Sequence, residues 1–220
     1  MDRVTRIKTT SPNPYPLTAI RIDTLDTKTF RCGLSADATL DMLPGDHLYV
    51  HATINGKSVK RPYTPSSLPG TAGFFDLTVK RYETGVISKY LHDQRRGDTL
   101  LMSGPRQGGH WVDGMAKKVG FVAAGTGITP MISIIRWILA KRLDAELFLV
   151  FANKTEADII FRDEWERDVA RMRTSTVLMS WNNRRRDGRR EPGESPLIFF
   201  AGIFLLLVQR PSSSSAGQHR

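Results

Sequence analysis

Hydrophobic and polar positions change rhythm once along this chain. Up to residue 104 they alternate in short runs: Leu17–Asp23, Lys28–Gly33, His47–Ile54 and Phe74–Arg81. A two-residue period puts one face of each strand into a core. Turn residues separate the runs: Pro44-Gly45-Asp46, Asn55-Gly56, and Pro69-Gly70 followed by Gly73. Asn-Gly between two alternating runs predicts a hairpin, since both residues accept positive φ. Short strands at this spacing predict a small antiparallel barrel or sandwich, interrupted by one helix over Ile87–Gln94 with Ser88 near its start.

After Gly104 the period changes. Lys118–Ala123 and Glu146–Ala152 are continuous apolar runs of the buried-strand kind. Ile128–Leu143, with apolar residues at 131, 134, 135, 138 and 139, and Asp158–Met172 have helical spacing. Strand–helix–strand–helix predicts parallel strands and an α/β unit. The fold class expected is therefore an antiparallel β-barrel followed by an incomplete doubly wound α/β domain. The expected boundaries are an extended lead-in over 1–16, the barrel over 17–110, a partial α/β domain over 111–172 and a divergent, disordered tail over 173–220. Within that tail Thr176–Trp181 has the composition of a third strand.

Composition narrows the choice. The 220 residues are 40% hydrophobic and 25% charged, the balance of a folded soluble chain. A single cysteine, Cys32, excludes an intramolecular disulfide, a CxxC redox centre and a Cys-rich zinc site; it is expected as a small apolar filler. His47 and His51 would share a strand face, but without a third ligand they are expected to be structural or surface residues.

The net charge is +10, and half of the excess lies in 173–220, with 8 basic and 3 acidic residues. No aromatic residues interleave with Arg184, Arg185, Arg186, Arg189 and Arg190, so no nucleic-acid partner is expected. The polar start MDRVTRIKTT has no secretory apolar core. The 12-residue apolar run Leu197–Val208 is shorter than the roughly 20 residues of a spanning helix. An intracellular protein, cytosolic or peripheral to a membrane, is expected. Arg184–Arg190 with Leu197–Val208 has the charge and apolar surface of a membrane-docking tail; the expectation adopted is a disordered tail instead.

Three clusters carry chemistry. Arg61-Pro62-Tyr63-Thr64 joins a donor fork suited to phosphate, a flat ring suited to a heteroaromatic, and a short hydroxyl. Gly85-Val86-Ile87-Ser88 opens the short helix, where free amides and the helix dipole favour an anion; capping by Ser88 is the commoner use of such a residue. Gly125-Thr126-Gly127-Ile128-Thr129-Pro130 joins a buried strand to a helix, with glycines that allow close backbone approach. It lacks the full GxGxxG pattern.

In this order the clusters resemble the ferredoxin–NADP reductase superfamily and, within it, the NADH–cytochrome b5 reductases. The resemblance rests on LPGDHLYV at 43–50, INGKSVKRPYTPSS at 54–67, FDLTVKRY at 75–82, GVISKYL at 85–91, GDTLLMSGP at 97–105, AAGTGITPM at 123–131 and VFANKTEADIIFRDEWE at 150–166, within roughly 17–172. It implies an FAD-binding barrel and an NADH-binding α/β domain, with hydride passing from NADH to FAD and electrons to a one-electron acceptor protein such as cytochrome b5. Arg61 would pair with FAD phosphates, and Tyr63 and Thr64, next to Pro62, would hold the ring and ribityl chain. Thr78, Lys80 and Tyr82 would lie on the strand beside the cofactor. Gly85, Val86, Ile87 and Ser88 would take the pyrophosphate, Val86-Ile87 standing where relatives often have Lys-Met. Thr129 would sit at the flavin edge, and Gly125, Thr126, Gly127 and Pro130 would line the nicotinamide approach. No catalytic acid, base or metal is implied, because the cofactor carries the reaction. The family's later C-G-P-P-x-M segment has no counterpart after 172. An alternative or truncated product is expected, either active or flavin-binding but catalytically deficient.

Overall fold

The computed structural model describes residues 5–169, 176–181 and 207–209. In chain order the strands are β1 (Thr5–Ile7), β2 (Thr9–Thr24), β3 (Thr27–Gly33), β4 (Ala38–Leu40), β5 (His47–Ile54), β6 (Lys57–Tyr63) and β7 (Phe74–Lys80). Helix α1 (Val86–Asp93), β8 (Thr99–Arg106), β9 (Lys118–Ala124), α2 (Ile128–Ala140) and β10 (Glu146–Asn153) follow. Then come α3 (Arg162–Val169), β11 (Thr176–Trp181) and β12 (Leu207–Gln209).

Six strands form an antiparallel sheet in the order β6-β5-β8-β2-β3-β7. Its concave side packs around Phe30, Cys32, Leu48, Leu77, Leu100 and Met102. Cys32 is buried as expected, and burial pushes its thiol pKa up. The β5–β6 turn has positive φ at Asn55 and Gly56 (51° and 72°), so Asn-Gly makes the predicted hairpin.

Two expectations are corrected. The barrel does not close, because β6 and β7 are the two ends of the sheet. Only the far end of this seam is bridged, by Ser66 N–H to the Asp76 carbonyl (2.8 Å) and Asp76 N–H to Ser67 Oγ (3.1 Å). Residues 9–16 do not precede the sheet; they belong to β2 and pair with β8, Asn13 opposite Met102 and Pro16 opposite Thr99. Tyr15 and Leu17 point inward between exposed prolines. Proline fits an extended backbone but lacks a donor, so Pro12, Pro14 and Pro16 hid the strand from a reading based on turn residues.

In the second unit β9, β10 and β11 are parallel, β12 runs antiparallel on β9, and the order is β11-β10-β9-β12. Two pieces of the stretch expected as a disordered tail are thus strands. Residues 182–206, with Arg184–Arg190 and most of the Leu197–Val208 run, lie outside the described residues. Helix α2 packs Ile128, Met131, Ile132 and Ile135 against Val119, Phe121, Leu149 and Phe151. On the opposite face Val122, Phe148 and Val150 remain 39%, 40% and 40% exposed. Helix α2 stops short of Leu143 because Arg142 turns left-handed (φ 51°) and Leu143 N–H reaches back to the Ile138 carbonyl (3.0 Å). The helix expected from Asp158 starts at Arg162. Asp158 instead accepts from Thr155 N–H (3.0 Å) and Oγ–H (2.8 Å), closing a separate turn.

His92 ties α1 to the sheet. Its ring meets Phe30 edge-on (5.7 Å), and Nε2 donates to the Val79 carbonyl (2.8 Å). Burial lowers its pKa, with that bond partly opposing, and burial lowers those of His47 and His51 as well. A base held neutral in the folded state is protonated first in the unfolded chain. The stability it protects is full above about pH 6.5 and is lost as pH falls toward the lowered value. Melting temperature is therefore expected to drop between about pH 7 and 5. His92→Gln should flatten part of that slope in a calorimetric pH series; an unchanged slope would contradict the assignment.

Candidate functional site

The unbridged end of the β6–β7 seam opens a cleft of about 490 Å³. Pro62, Tyr63 and Thr64 line it from the end of β6 and the loop beyond, Thr78 and Lys80 from β7, and Thr126, Thr129 and Pro130 from the turn into α2. A cleft of about 1210 Å³ adjoins it, reaching Gly125 and the end of β10 at Asn153. Lys80 and Tyr82 line both. Ligands of open α/β sheets bind outside the carboxyl ends of the strands, where this larger cleft lies.

Tyr63 is half-buried, and burial raises its phenol to about 12, the Tyr82 phenol adding and Arg61 opposing. It therefore presents a neutral ring. Lys80 Nζ pairs with Asp26 Oδ2 (2.5 Å). Burial alone would raise the Asp26 carboxyl, but Lys80 and the hydroxyls of Thr27 and Thr24 hold it below its usual range. Tyr82 lies beyond the end of β7 rather than on it, and its hydroxyl meets Thr126 Oγ1 (2.9 Å), linking the two units. Thr129 Oγ1 donates to the Thr126 carbonyl (3.1 Å).

Thr78 is the middle of a row of three hydroxyls whose polarity can be worked out. Thr29 donates to the Asp23 carboxylate (2.5 Å), so it accepts from Thr78 (2.7 Å), and Thr78 in turn accepts from Ser66 (2.9 Å). One proton per hydroxyl sets this order along the row, and the Ser66 hydroxyl has the Asp76 carbonyl (3.3 Å) as a second acceptor. The row ties β3 and β7 to the loop after Thr64.

At the mouth of α1 the N-cap is Gly85, not Ser88. Ser88 Oγ accepts the Tyr82 N–H (3.2 Å), and a Cβ at Gly85 would lie 2.1 Å from that oxygen. Val86 is exposed and Ile87 is in the core. Gly85, Val86, Ile87, Ser88, Gly127 and Arg61 line neither cleft. Arg61 is exposed and donates to its neighbour's carbonyl, Lys60 O (2.9 Å).

Sequence reasoning missed one wall and one clamp. Gly45, His47, Gly108 and Gly109 form the far side of the smaller cleft. A Cβ at Gly108 would lie 2.6 Å from the Gly45 carbonyl, and Gly45 N–H reaches Ser133 Oγ on α2 (3.3 Å). The glycines of PGDH and QGGH were the available signal. Arg136 on α2 pairs with Glu164 of α3, Nε to Oε1 at 2.6 Å, and also donates to the Ser66 carbonyl. An arginine inside the apolar stripe of IIRWI was its signal. His51, by contrast, bonds Ser103 Oγ (2.8 Å).

A neutral aromatic face, hydroxyls, a lysine and a glycine-lined wall at an unpaired seam fit a flat ring system bearing a polar chain. The comparisons agree. Residues 14–111 match the family model of the oxidoreductase FAD-binding domain, and 121–194 that of the oxidoreductase NAD-binding domain. NADH-cytochrome b5 reductase 1 of Eremothecium gossypii is 35% identical over 198 residues, 89% of this chain and 68% of that relative. This chain belongs to the NADH-cytochrome b5 reductase family. Its relative from Kluyveromyces lactis is 39% identical over 71% of this chain. The chain covers only 57% of that relative and 49% of the one from Dictyostelium discoideum, about half their length. Among solved structures, the cytochrome b5 reductase domain of Ulva prolifera nitrate reductase superposes with a TM-score of 0.74 at 28% identity, over 86% of this chain and 78% of that one. The NAD-binding match runs to residue 194, past the end of the motif resemblance at 172. Among the described residues, no helix of this reductase-family chain is long and apolar enough to cross a membrane.

Proposed function

We propose that this chain is an FAD-dependent NADH oxidoreductase that delivers electrons to a one-electron acceptor protein such as cytochrome b5. The observation that carries it is the junction of the two clefts at Lys80 and Tyr82, where a ring held at the seam and a dinucleotide held at the ends of β9 and β10 would meet. Bound FAD would accept hydride from the reduced nicotinamide and release electrons singly. Tyr63, Thr64 and Thr78 would orient the ring and ribityl chain. Arg61 and the Gly85–Ser88 helix mouth would take the phosphates, and Thr129 with Gly125–Gly127 would border the nicotinamide approach. The two units, about 17–110 and 111–172, would act as flavin and nucleotide domains.

The second reading is a flavin-binding chain deficient in catalysis. It is favoured by β12, which runs antiparallel on the edge of β9 that a doubly wound sheet would extend with a parallel strand. Absorption spectra of the purified chain separate the two. A yellow protein that bleaches with NADH supports the enzyme. One bleached by dithionite alone supports the second reading, and a colourless protein overturns both.

Arg61→Ala is expected to weaken FAD binding about tenfold. A charge-assisted phosphate contact is worth roughly 1.5–3 kcal/mol, and the lower end applies to an exposed group screened by solvent. Flavin fluorescence titration of the apoprotein measures this, and equal affinities would remove Arg61 from the site.

A further inference from the structure

The far wall of the smaller cleft is two stretches of backbone in close contact. Gly45 and His47 stand on one side of it, Gly108 and Gly109 on the other. Their approach leaves no room for a Cβ: one at Gly45 would lie 2.6 Å from the Gly109 carbonyl oxygen, and one at Gly108 would lie 2.6 Å from the Gly45 carbonyl oxygen. Glycines have no side chain to pack, and they leave the chain its greatest conformational freedom. The loop over Gly108–His110 therefore needs an anchor from outside itself.

Asp46 supplies it. This residue is only 8% exposed, and its carboxylate serves both stretches. Oδ2 accepts the Leu43 N–H (3.0 Å), Oδ1 accepts the Gly108 N–H (3.1 Å), and His110 Nδ1 lies 3.5 Å from the same Oδ1. Among the described residues no other acceptor holds an amide of Gly108, Gly109 or His110; the next tie is Trp111 N–H to the Pro44 carbonyl (2.9 Å). The turn over 43–46 is itself fixed, by Asp46 N–H to the Leu43 carbonyl (3.0 Å) and by Gly45 N–H to Ser133 Oγ on α2 (3.3 Å). Asp46 thus passes the position of an anchored turn to a loop with little hold of its own. A carboxylate offers an acceptor to each stretch, whereas an amide would turn a donor toward one of them.

We propose that Asp46 is a positioning residue for the flavin: by holding Gly108 against Gly45, it sets where the glycine wall stands relative to the bound ring. Asp46 does not line the cleft and acts only through the backbones that do. The proposal rests on the flavin part of the function proposed above.

FAD titration of the full chain, with the visible circular dichroism of the bound flavin and the melting temperature, tests it without any turnover. Asp46→Ala removes both acceptors; Gly108→Ala keeps the carboxylate but drives the loop off Gly45. Both are expected to bind FAD about tenfold more weakly, the low end for one charge-assisted bond, and to share an altered flavin dichroism. Asp46→Asn keeps one acceptor and should fall between the unmodified chain and Asp46→Ala; it also decides the matter should Asp46→Ala fail to fold. Variants that melt lower yet bind FAD with the unmodified affinity and spectrum make Asp46 a residue of the fold alone and overturn the proposal. Weaker binding with an unchanged spectrum places the effect away from the ring and overturns it too, as does an effect of the Asp46 variants that Gly108→Ala does not share. An unmodified chain that takes up no FAD overturns the flavin reading itself, and this proposal with it.

Discussion

Replacing Arg136 with alanine is expected to cost about 2–3 kcal/mol of stability and to weaken flavin binding with it. The guanidinium and the Glu164 carboxylate are each 22% exposed, so the pair is neither a surface bridge nor a fully buried one. Breaking a buried pair by removing one partner costs roughly 3–5 kcal/mol, and partial exposure lowers the figure. Arg136 also stacks on the Phe161 ring (4.9 Å) and donates to the Ser66 carbonyl. Ser66 Oγ holds Thr78 in the smaller cleft (2.9 Å), so the loss reaches the proposed flavin site through a loop that α2 no longer anchors. Urea unfolding of Arg136→Ala, Glu164→Ala and the double variant measures the pair. A coupling above about 1 kcal/mol is expected, against the few tenths typical of exposed pairs. A coupling within error of zero would sink the clamp.

Trp165→Ala is expected to cost more, about 3–5 kcal/mol, the range for deleting a buried large aromatic. Trp165 is 0% exposed, its ring meets Phe151 edge-on (6.2 Å), and its Nε1 donates to the Ile160 carbonyl (2.9 Å). The loss is a large part of a typical 5–15 kcal/mol total. Native-state hydrogen exchange should show amides of β9 and β10 losing protection while those of β3 and β5 keep theirs, because the two cores are separate clusters. Uniform loss across both would mean that the units unfold as one. Trp165 sits beside Glu164 on the first turn of α3, so unseating the helix also frees Arg136. The Trp165 and Arg136 effects should accordingly sum to less than their separate values.

The sequence by itself determined the elements whose signals are local. Alternation placed β5 and β7 to within a residue, Asn55-Gly56 marked its hairpin, and continuous apolar runs marked β9 and β10. These follow from backbone sterics and from a period that each segment carries alone. The motif order also pointed to residues that the fold brings together: Tyr63 and Thr64 face Thr78 and Lys80 across the seam, with Thr129 alongside.

Only the tertiary structure decided the rest. Whether β6 and β7 pair depends on the curvature of all six strands, and their failure to pair opens the smaller cleft. Three prolines concealed half of β2, because its register is set by β8 about ninety residues away. Ser88 looked like a cap, yet its hydroxyl is held by the Tyr82 backbone folded against it. The Gly45–Gly108 contact, the polarised Thr29–Thr78–Ser66 row and the Arg136 clamp each join groups distant in sequence. No window of sequence contains both partners, so the chemistry was visible residue by residue and the site was not.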